Sequence, residues 1–329
     1  MTEVLCSRCN KPFTEPRRCT GGECDFPAYY EVMRDHFRLK MPVKYYCSLM
    51  GGINSGKTYY LLCLVHILLG NDPDVQVLKR RYGIADVRIV DPTSQDLYDQ
   101  LIRQASRGDL PYTDSEKPLG FFSLILTMDD DRVFEFVLFN TSGEKLENEY
   151  EAQKFKTDSH EMKGAATVYL VDPREDSLLN RALEYPKDAP CRNQDIGNHI
   201  YRIMQIVNGH IKIIRNPLAV CISKFDLLEH RIPLEVPFNP YIEAHNRRFF
   251  EEIQTVSDKL NSFLQTKSET VNPGQLEERF RNVNYFALAP FGSDERPAYW
   301  DQRKPQGILA PFFWVLKKRD IIKDENGSY

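Results

Sequence analysis

The sequence predicts an α/β fold in which a mainly parallel sheet is covered by helices on both faces. From residue 42 onward, apolar strand-like runs alternate with helical segments, which is the order typical of such a sheet. A glycine-rich loop at 51–58 joins the first strand to the first helix. Two later strand-like runs are separated only by a short acidic turn at 128–131, which predicts an antiparallel hairpin at one edge of the sheet.

Each element has its own pattern in the chain. The run 43–51 predicts a strand, and the apolar segment 57–70 predicts a helix that is stopped by a glycine and a proline. The region 71–118 is polar and rich in proline, so we expect it to be irregular, with one weak helix near 94–106. The remaining predicted strands are 119–127, 132–140, 165–173, 217–226 and 282–290. The remaining predicted helices are 144–155, 193–209, 241–266 and 307–318.

The loop after the first strand predicts a phosphate site. It has the pattern G-x-x-x-x-G-K-T, and its backbone N–H groups, with the N-terminus of the following helix, are suited to wrap phosphates. Lys57 would reach the β- and γ-phosphates, and the Thr58 hydroxyl would bind Mg²⁺. The predicted nucleotide contacts of this loop are Gly51, Gly52, Asn54, Ser55, Gly56, Lys57, Thr58 and Tyr59.

Two further stretches stand at the ends of predicted strands. "NTSGE" (140–144) ends the second hairpin strand, and "SKFD" (223–226) ends a later buried strand and is similar to the guanine motif [NT]-K-x-D. With the phosphate loop and the hairpin, these stretches give the chain a resemblance to Ras-like P-loop GTPases of the TRAFAC class, over about residues 42–320. The resemblance implies GTP and GDP as ligands, with Mg²⁺.

The resemblance implies roles for the hairpin end. GTPases usually have D-x-x-G here, and the aspartate holds a magnesium-bound water; Asn140 offers an oxygen without the charge, so we expect weaker magnesium binding. The Gly143 N–H would contact the γ-phosphate. Glu144 stands where Ras-like proteins carry a glutamine that orients the attacking water, so slow hydrolysis is expected.

The resemblance also implies how guanine would be read. The Asp226 carboxylate would accept from the guanine N1–H and amine, and the stem of Lys224 would pack on the base. Near the last strand, Ala289 aligns with the serine of an S-A-K loop and would donate its N–H to guanine O6. Because Pro290 has no N–H, Phe291 is the alternative donor.

Switch I of a Ras-like protein carries a threonine that binds Mg²⁺ and the γ-phosphate. Thr113 is the first candidate here, and Thr93 is the alternative. The region 71–118 would then be an enlarged switch I, and GTP would order 80–118 and 141–163.

Four cysteines in the first 24 residues form two close pairs. Cys6 and Cys9 make C-x₂-C, and Cys19 and Cys24 make C-x₄-C, which suits a tetrahedral Zn²⁺ site with four thiolates. Reduced free cysteines and an iron–sulfur cluster are the alternatives. We therefore predict a small zinc-ribbon-like module at 1–40, followed by a P-loop GTPase domain at 41–329.

Composition limits the function further. The net charge is −4, which gives no support to a protein that coats nucleic acid. The longest apolar run, 61–70, is about half the length that crosses a bilayer, and the N-terminus lacks an apolar signal core. These observations predict a cytoplasmic protein without a membrane partner.

A narrower resemblance adds a biological expectation. The cysteine module, "NTSGE", "FALAPFG" (286–292) and the closing helix are similar to bacterial double-GTPase families of conflict or anti-phage systems. The resemblance implies a GTP-dependent switch with protein partners at the zinc ribbon and the switch regions. A pseudo-GTPase scaffold, and a nucleoside kinase or ATPase, are the alternatives.

Overall fold

The structure is a computed structural model in which a seven-stranded mixed sheet forms the centre of the chain. The described residues are 13–14, 18–19, 42–52, 55–107, 121–140, 165–176, 178–179, 198, 200–202, 205, 212–229, 241–290 and 305–328, with the backbone alone at 13–14, 18–19, 121 and 140. The strands are β1 (Phe13–Thr14), β2 (Arg18–Cys19), β3 (Val43–Gly51), β4 (Ile84–Arg88), β5 (Phe121–Met128), β6 (Val133–Asn140), β7 (Ala166–Val171), β8 (Leu218–Ile222) and β9 (Val283–Ala287). The helices are α1 (Lys57–Leu69), α2 (Pro73–Arg81), α3 (Pro92–Ser106), α4 (Asp226–Glu229), α5 (Phe249–Lys267), α6 (Pro273–Arg279) and α7 (Leu309–Lys318).

The strand order confirms the predicted sheet. The order is β4-β5-β6-β3-β7-β8-β9, in which the five strands from β6 to β9 are mutually parallel. Strands β5 and β6 form the predicted antiparallel hairpin, with Phe122 opposite Leu138. The sheet has one strand more than predicted, because β4 adds to the edge antiparallel to β5.

The register brings the carboxyl ends of the parallel strands to one edge of the sheet. Leu49 in β3 pairs with Asn140, and Gly51 pairs with Leu170 in β7. Further along, Ile222 at the end of β8 pairs with Ala287 at the end of β9. Residues that follow these strands therefore lie side by side, as ligand-binding loops of open α/β sheets do.

Helices on the sheet complete the core. Strands β7 and β8 are buried along their whole length, as expected for central parallel strands. Helix α1 is apolar on all sides, and ten of its thirteen residues are buried, so it is a core helix. An aromatic cluster joins Tyr82 after α2 to Phe250 in α5 and Phe313 in α7, with ring centroids 5.0 and 5.8 Å from Tyr82.

The prediction of an irregular region at 71–118 was wrong for its first part. Helix α2, strand β4 and helix α3 lie there, and only the helix near 94–106 was expected. Both helices begin with a proline at the first turn, and an aspartate before each proline caps the helix: Asp72 accepts from the Asp74 N–H, and Asp91 accepts from the Ser94 N–H. Proline at the first turn favours a helix start, so these two prolines begin helices and do not break them.

Two corrections concern the C-terminal half. The predicted helix 241–266 begins at Phe249, and a turn-rich segment precedes it. Helix α6 was not predicted, although Asn272 caps it in front of Pro273 in the same way as the two aspartates. The predicted helices 144–155 and most of 193–209 lie outside the described residues.

The N-terminal segment contains one described feature. Strands β1 and β2 pair antiparallel, with Phe13 opposite Cys19. Among the described residues no single helix is long and apolar enough to cross a membrane; α1 and α2 reach that length only together, across a bend of 82°.

Candidate functional site

The phosphate loop has the backbone that its sequence predicts. It starts at the end of β3 with Gly51, whose φ is +145°, and it ends at Gly56, whose φ is +91°, just before α1. Residues that have a side chain rarely adopt these φ values, so glycine is required at both positions. The Tyr60 N–H donates to Gly56 O at 2.8 Å and closes the first helical turn. No described side chain caps α1 and its first turn has no acidic residue, so its positive end faces the loop.

Lys57 is held on this loop. Its side chain is buried, and Nζ donates to the carbonyl oxygens of Gly51 at 3.0 Å and Gly52 at 2.6 Å, with Ser55 Oγ at 3.4 Å. These contacts fix the ammonium group beside the loop backbone, so little rotamer entropy remains to be lost when an anion binds there. Thr58 and Tyr59, which follow on α1, are buried as well.

Several predicted site residues lie outside the described part of the chain. These are Asn54, Thr113, Gly143 and Glu144. For Asn140 the backbone is described, and its pairing with Leu49 places the end of the hairpin strand beside the strand that carries the phosphate loop. Their roles stay predictions.

The predicted base motif follows β8 and is anchored by buried groups. Ser223 is fully buried, and its Oγ donates to Val171 O at 3.0 Å. Phe225 is buried in the core, and its N–H donates to Leu288 O at 3.0 Å. Lys224, between them, has a φ of +53°. The alternation sends Ser223 and Phe225 inward and leaves Lys224 and Asp226 partly exposed at the sheet edge.

The loop after β9 lies next to this motif, but Ala289 in this loop is hydrogen-bonded to Gln306. The Ala289 N–H donates to Gln306 O at 3.1 Å, and Ala289 O accepts from the Gln306 N–H at 2.9 Å. In this structure the N–H that was predicted to contact guanine is thus bonded within the protein. Phe291, the alternative donor, lies outside the described residues.

A charged turn after β7 was missed by sequence reasoning. Asp172 is buried, and its carboxylate accepts from Lys224 Nζ at 2.5 Å and from Arg174 Nη2 at 2.6 Å. Burial opposes ionisation of Asp172, but the contacts to Arg174 and Lys224 hold its pKa below the ordinary value. The lysine of the base motif is therefore fixed by a residue from the neighbouring strand end. The run of charges directly after an apolar strand was the available signal.

The same turn carries Glu175 to the phosphate loop. A Cβ added to Gly52 would lie 2.4 and 2.7 Å from the two oxygens of the Glu175 carboxylate, so this group sits directly against the loop. Burial and the nearby Asp172 raise the pKa of Glu175 to about 7, while Lys57, Lys224 and Arg174 oppose that rise. A carboxylate beside the loop lysine is a negative charge close to the predicted phosphate site.

Within the described ranges, no group of three or more His, Cys, Asp or Glu side chains could hold a metal ion. Of the predicted zinc ligands, Cys6, Cys9 and Cys24 lie outside those ranges, and only the backbone of Cys19 is described. The basic residues Lys79 and Arg81 on α2 have structural contacts, since they donate to Leu68 O and Asn246 O.

Comparison with known proteins gives structural matches only. No family model and no curated protein matches the sequence. The GTPase-like domain of Ski7 from S. cerevisiae, solved with GTP, is 13% identical, with a TM-score of 0.37 and coverage of 90% of this chain and 53% of that one. The small GTPase Arl6 from Trypanosoma brucei is 11% identical, with a TM-score of 0.34 and coverage of 84% and 98%. The small GTPase SAR1 from Encephalitozoon cuniculi is 14% identical, with a TM-score of 0.32 and coverage of 89% and 87%.

The chain spans about half the length of the Ski7 chain that it matches. These matches are too distant to define the fold, which follows from the strand order and the geometry of the phosphate loop. A strand–loop–helix phosphate motif stands on the central strand, and an antiparallel hairpin flanks that strand on one side. The fold is a P-loop type α/β fold with a mixed seven-stranded sheet.

Proposed function

We propose that the protein binds GTP and GDP together with Mg²⁺ and works as a nucleotide-controlled switch. The observation that carries the proposal is the register, which brings the phosphate loop after Gly51 and the base motif after Ile222 to the same edge of the sheet. The bond from Phe225 N–H to Leu288 O holds the base motif against the last loop. A nucleotide needs both contacts at once, one for phosphate and one for base.

The residues present fit the proposed ligand. Lys57 and the uncapped N-terminus of α1 supply positive charge for phosphate groups. Thr58, one residue further on α1, and Asn140, on the strand next to β3, have the oxygen ligands that Mg²⁺ takes. When bound, the ion would neutralise charge between the phosphates. Asp172 would keep Lys224 at the base side of the site through their ion pair.

A second candidate is a pseudo-GTPase scaffold with little or no hydrolysis. It is favoured by the uncharged Asn140 and by the Glu175 carboxylate, which lies against the loop at Gly52. GTP turnover at saturating GTP and Mg²⁺, measured for the wild type and Glu144→Ala, separates the two. A switch that hydrolyses GTP loses turnover in the variant, whereas a scaffold shows none above background in either protein. ATP that competes with GTP at similar concentration would favour a kinase or ATPase instead.

Glu175 predicts a pH dependence of nucleotide binding. Its pKa lies near 7 in the folded protein, so lowering the pH from 8 to 6 removes a negative charge that repels the phosphates, and affinity rises. Between pH 8 and pH 6, the affinity of the wild type for GDP should rise several-fold more than the affinity of Glu175→Gln does. The nucleotide titrates equally in both experiments, so the difference between the proteins reports Glu175. Identical pH profiles for the two proteins would contradict the prediction.

We further propose that Cys6, Cys9, Cys19 and Cys24 bind Zn²⁺ in an N-terminal module. The antiparallel pairing of β1 and β2, which follows the first cysteine pair and includes Cys19 of the second, supports this. Four thiol ligands are suited to a closed tetrahedral zinc site. Metal analysis of purified protein should give one zinc per chain for the wild type and a loss in Cys6→Ser; full zinc content in the variant would refute the site.

The biological role is proposed from the narrower resemblance. The zinc module and the switch regions would bind partner proteins, in a bacterial conflict or anti-phage system. Purification of the protein with its partners from native cells, in GTP and in GDP, tests this proposal. Partners retained in only one nucleotide state are expected, and identical sets in both states would argue against a switch.

A further inference from the structure

A second cleft lies away from the proposed nucleotide site. It has a volume of about 700 Å³ and is bounded by the C-terminal half of α1, the loop that follows, the segment 241–245 and the start of α7. The described residues that line it include none from the phosphate loop or the base motif. Its size falls in the range of clefts that bind small ligands or short peptide segments.

The cleft is negatively charged. Asp72, Asp74 and Glu243 line it, and its described lining contains no lysine or arginine. Burial lowers the pKa of His66, so this lining residue stays neutral at pH 7. His245 lies 3.0 Å from a Glu243 oxygen and 3.7 Å from an Asp74 oxygen, and it can offset one of the three carboxylate charges at most.

Two buried acceptors in the same region lack donors. Oε1 of Gln306, in the lining of the cleft, is buried without a hydrogen-bond donor among the described residues. The same holds for Oε2 of Glu252, in an adjoining cavity of about 420 Å³ that shares Tyr241, Glu243 and His245 with the cleft. Buried acceptors are normally paired, so an N–H donor of a ligand would satisfy either oxygen once its side chain turns towards the cleft.

Apolar side chains also line the cleft. Four of them border the cleft: Ile67 on α1, Val75 on α2, Ile242 in the segment before α5, and Leu309 on α7. A bare polyamine would leave this apolar surface uncovered. A ligand that matches the whole lining therefore combines apolar groups with a cation that carries several N–H donors.

We propose that the cleft binds a short peptide segment of a partner protein in which basic side chains alternate with apolar ones. A guanidinium group has five N–H donors, which suits a site with carboxylates and unpaired acceptors. The basic side chains would lie in the 700 Å³ cleft, because Arg247 lines the adjoining cavity and offsets part of the charge of Glu243 and Glu252 there. This site is independent of the nucleotide proposal, because no residue assigned to the nucleotide lines it.

The test uses a fluorescent, amidated pentapeptide of alternating leucine and arginine, with a matched peptide of leucine and glutamine. Fluorescence anisotropy should show binding of the arginine peptide, about tenfold tighter than the glutamine peptide and weaker at high salt. Spermidine should displace it poorly. Equal binding of both peptides, full displacement by spermidine, or no binding at millimolar peptide would overturn the proposal.

Variants locate the peptide. The double variant Asp74→Asn with Glu243→Gln should weaken the arginine peptide about fivefold or more, while Asp96→Asn, on an exposed carboxylate of α3, should leave its affinity unchanged. Thermal melts by circular dichroism check that each variant is folded. Lys57→Ala should keep full peptide affinity, so a failure of nucleotide binding is distinguished from a failure of this site. Unchanged affinity in the folded double variant would place the peptide elsewhere.

Discussion

Replacing Asp176 by alanine should lower the free energy of unfolding by about 4 kcal/mol. Asp176 is fully buried after β7, and one of its oxygens accepts from the backbone N–H groups of Leu178 and Leu179, both at 3.0 Å. The other accepts from Ser268 Oγ at 2.5 Å and from Thr270 N and Oγ1 at 3.0 and 2.7 Å. The carboxylate thus joins the turn after β7 to the connection between α5 and α6.

The expected loss is large because several donors, among them the buried N–H groups of Leu179 and Thr270, lose their acceptor at once. Removing the carboxylate leaves buried N–H and O–H groups without acceptors, and each unsatisfied group costs about 1–3 kcal/mol before the structure relaxes. Asp176→Asn keeps one acceptor oxygen but turns an amide N–H₂ towards donors, so about half of the loss is expected. The exposed Asp96 on α3 gives the control: Asp96→Ala should change stability by less than about 0.5 kcal/mol.

Urea unfolding of the three variants measures these differences. The slope of the unfolding free energy against urea concentration should be the same in all of them if unfolding is two-state. A loss below about 1 kcal/mol for Asp176→Ala would show that the turn does not depend on this carboxylate.

Replacing Gly51 by alanine should lower stability by about 3 kcal/mol and weaken nucleotide binding as well. The φ of +145° is strained for any side chain. The new Cβ would also lie 2.4 Å from Leu170 O and 2.6 Å from Ser55 Oγ. Leu170 O belongs to the neighbouring central strand, so the main chain of β3 and the loop would have to move.

Gly274→Ala is the matched control for this change. Gly274 lies in the first turn of α6, and an added Cβ would meet only Asn272 Oδ1, at an ordinary 3.5 Å. Alanine is the better helix former, so this variant should be neutral or slightly stabilised. If Gly51→Ala unfolds at the same urea concentration as Gly274→Ala, the tight packing of β3 against β7 is not what requires glycine.

Local sequence patterns predicted the features that are made locally. The strand 43–51, the helix after it and the hairpin each depend on residues that are neighbours in the chain, and all three are confirmed. The helix starts at Pro73 and Pro273 were missed although their signal is local, and the helix expected near 94–106 begins two residues earlier, at Pro92. In each case an aspartate or asparagine precedes the proline, and that pair favours a helix start over a break.

Contacts between residues that are far apart in the chain could not be predicted from the sequence. The ion pair of Asp172 with Lys224 joins residues 52 positions apart, and Asp176 bonds to residues more than 90 positions away. The contact of Glu175 with the phosphate loop depends on the parallel pairing of β3 with β7. Such partners become visible only when the register of the sheet is known. The run of charges in "VDPRED" (171–176) marks a polar turn after the strand but does not identify these partners.

The most direct test of the proposed guanine site is the nucleotide specificity of Asp226→Asn. Dissociation constants for GTP, xanthosine triphosphate and ATP should be measured by calorimetry for the wild type and the variant. The wild type should prefer GTP, and ATP should not compete. The variant should lose GTP affinity by about 100-fold and gain affinity for xanthosine triphosphate, because it lacks the carboxylate that is proposed to accept from the guanine N–H groups. An unchanged preference in the variant, or equal binding of ATP and GTP to the wild type, would contradict the proposal that this protein is a guanine-nucleotide switch.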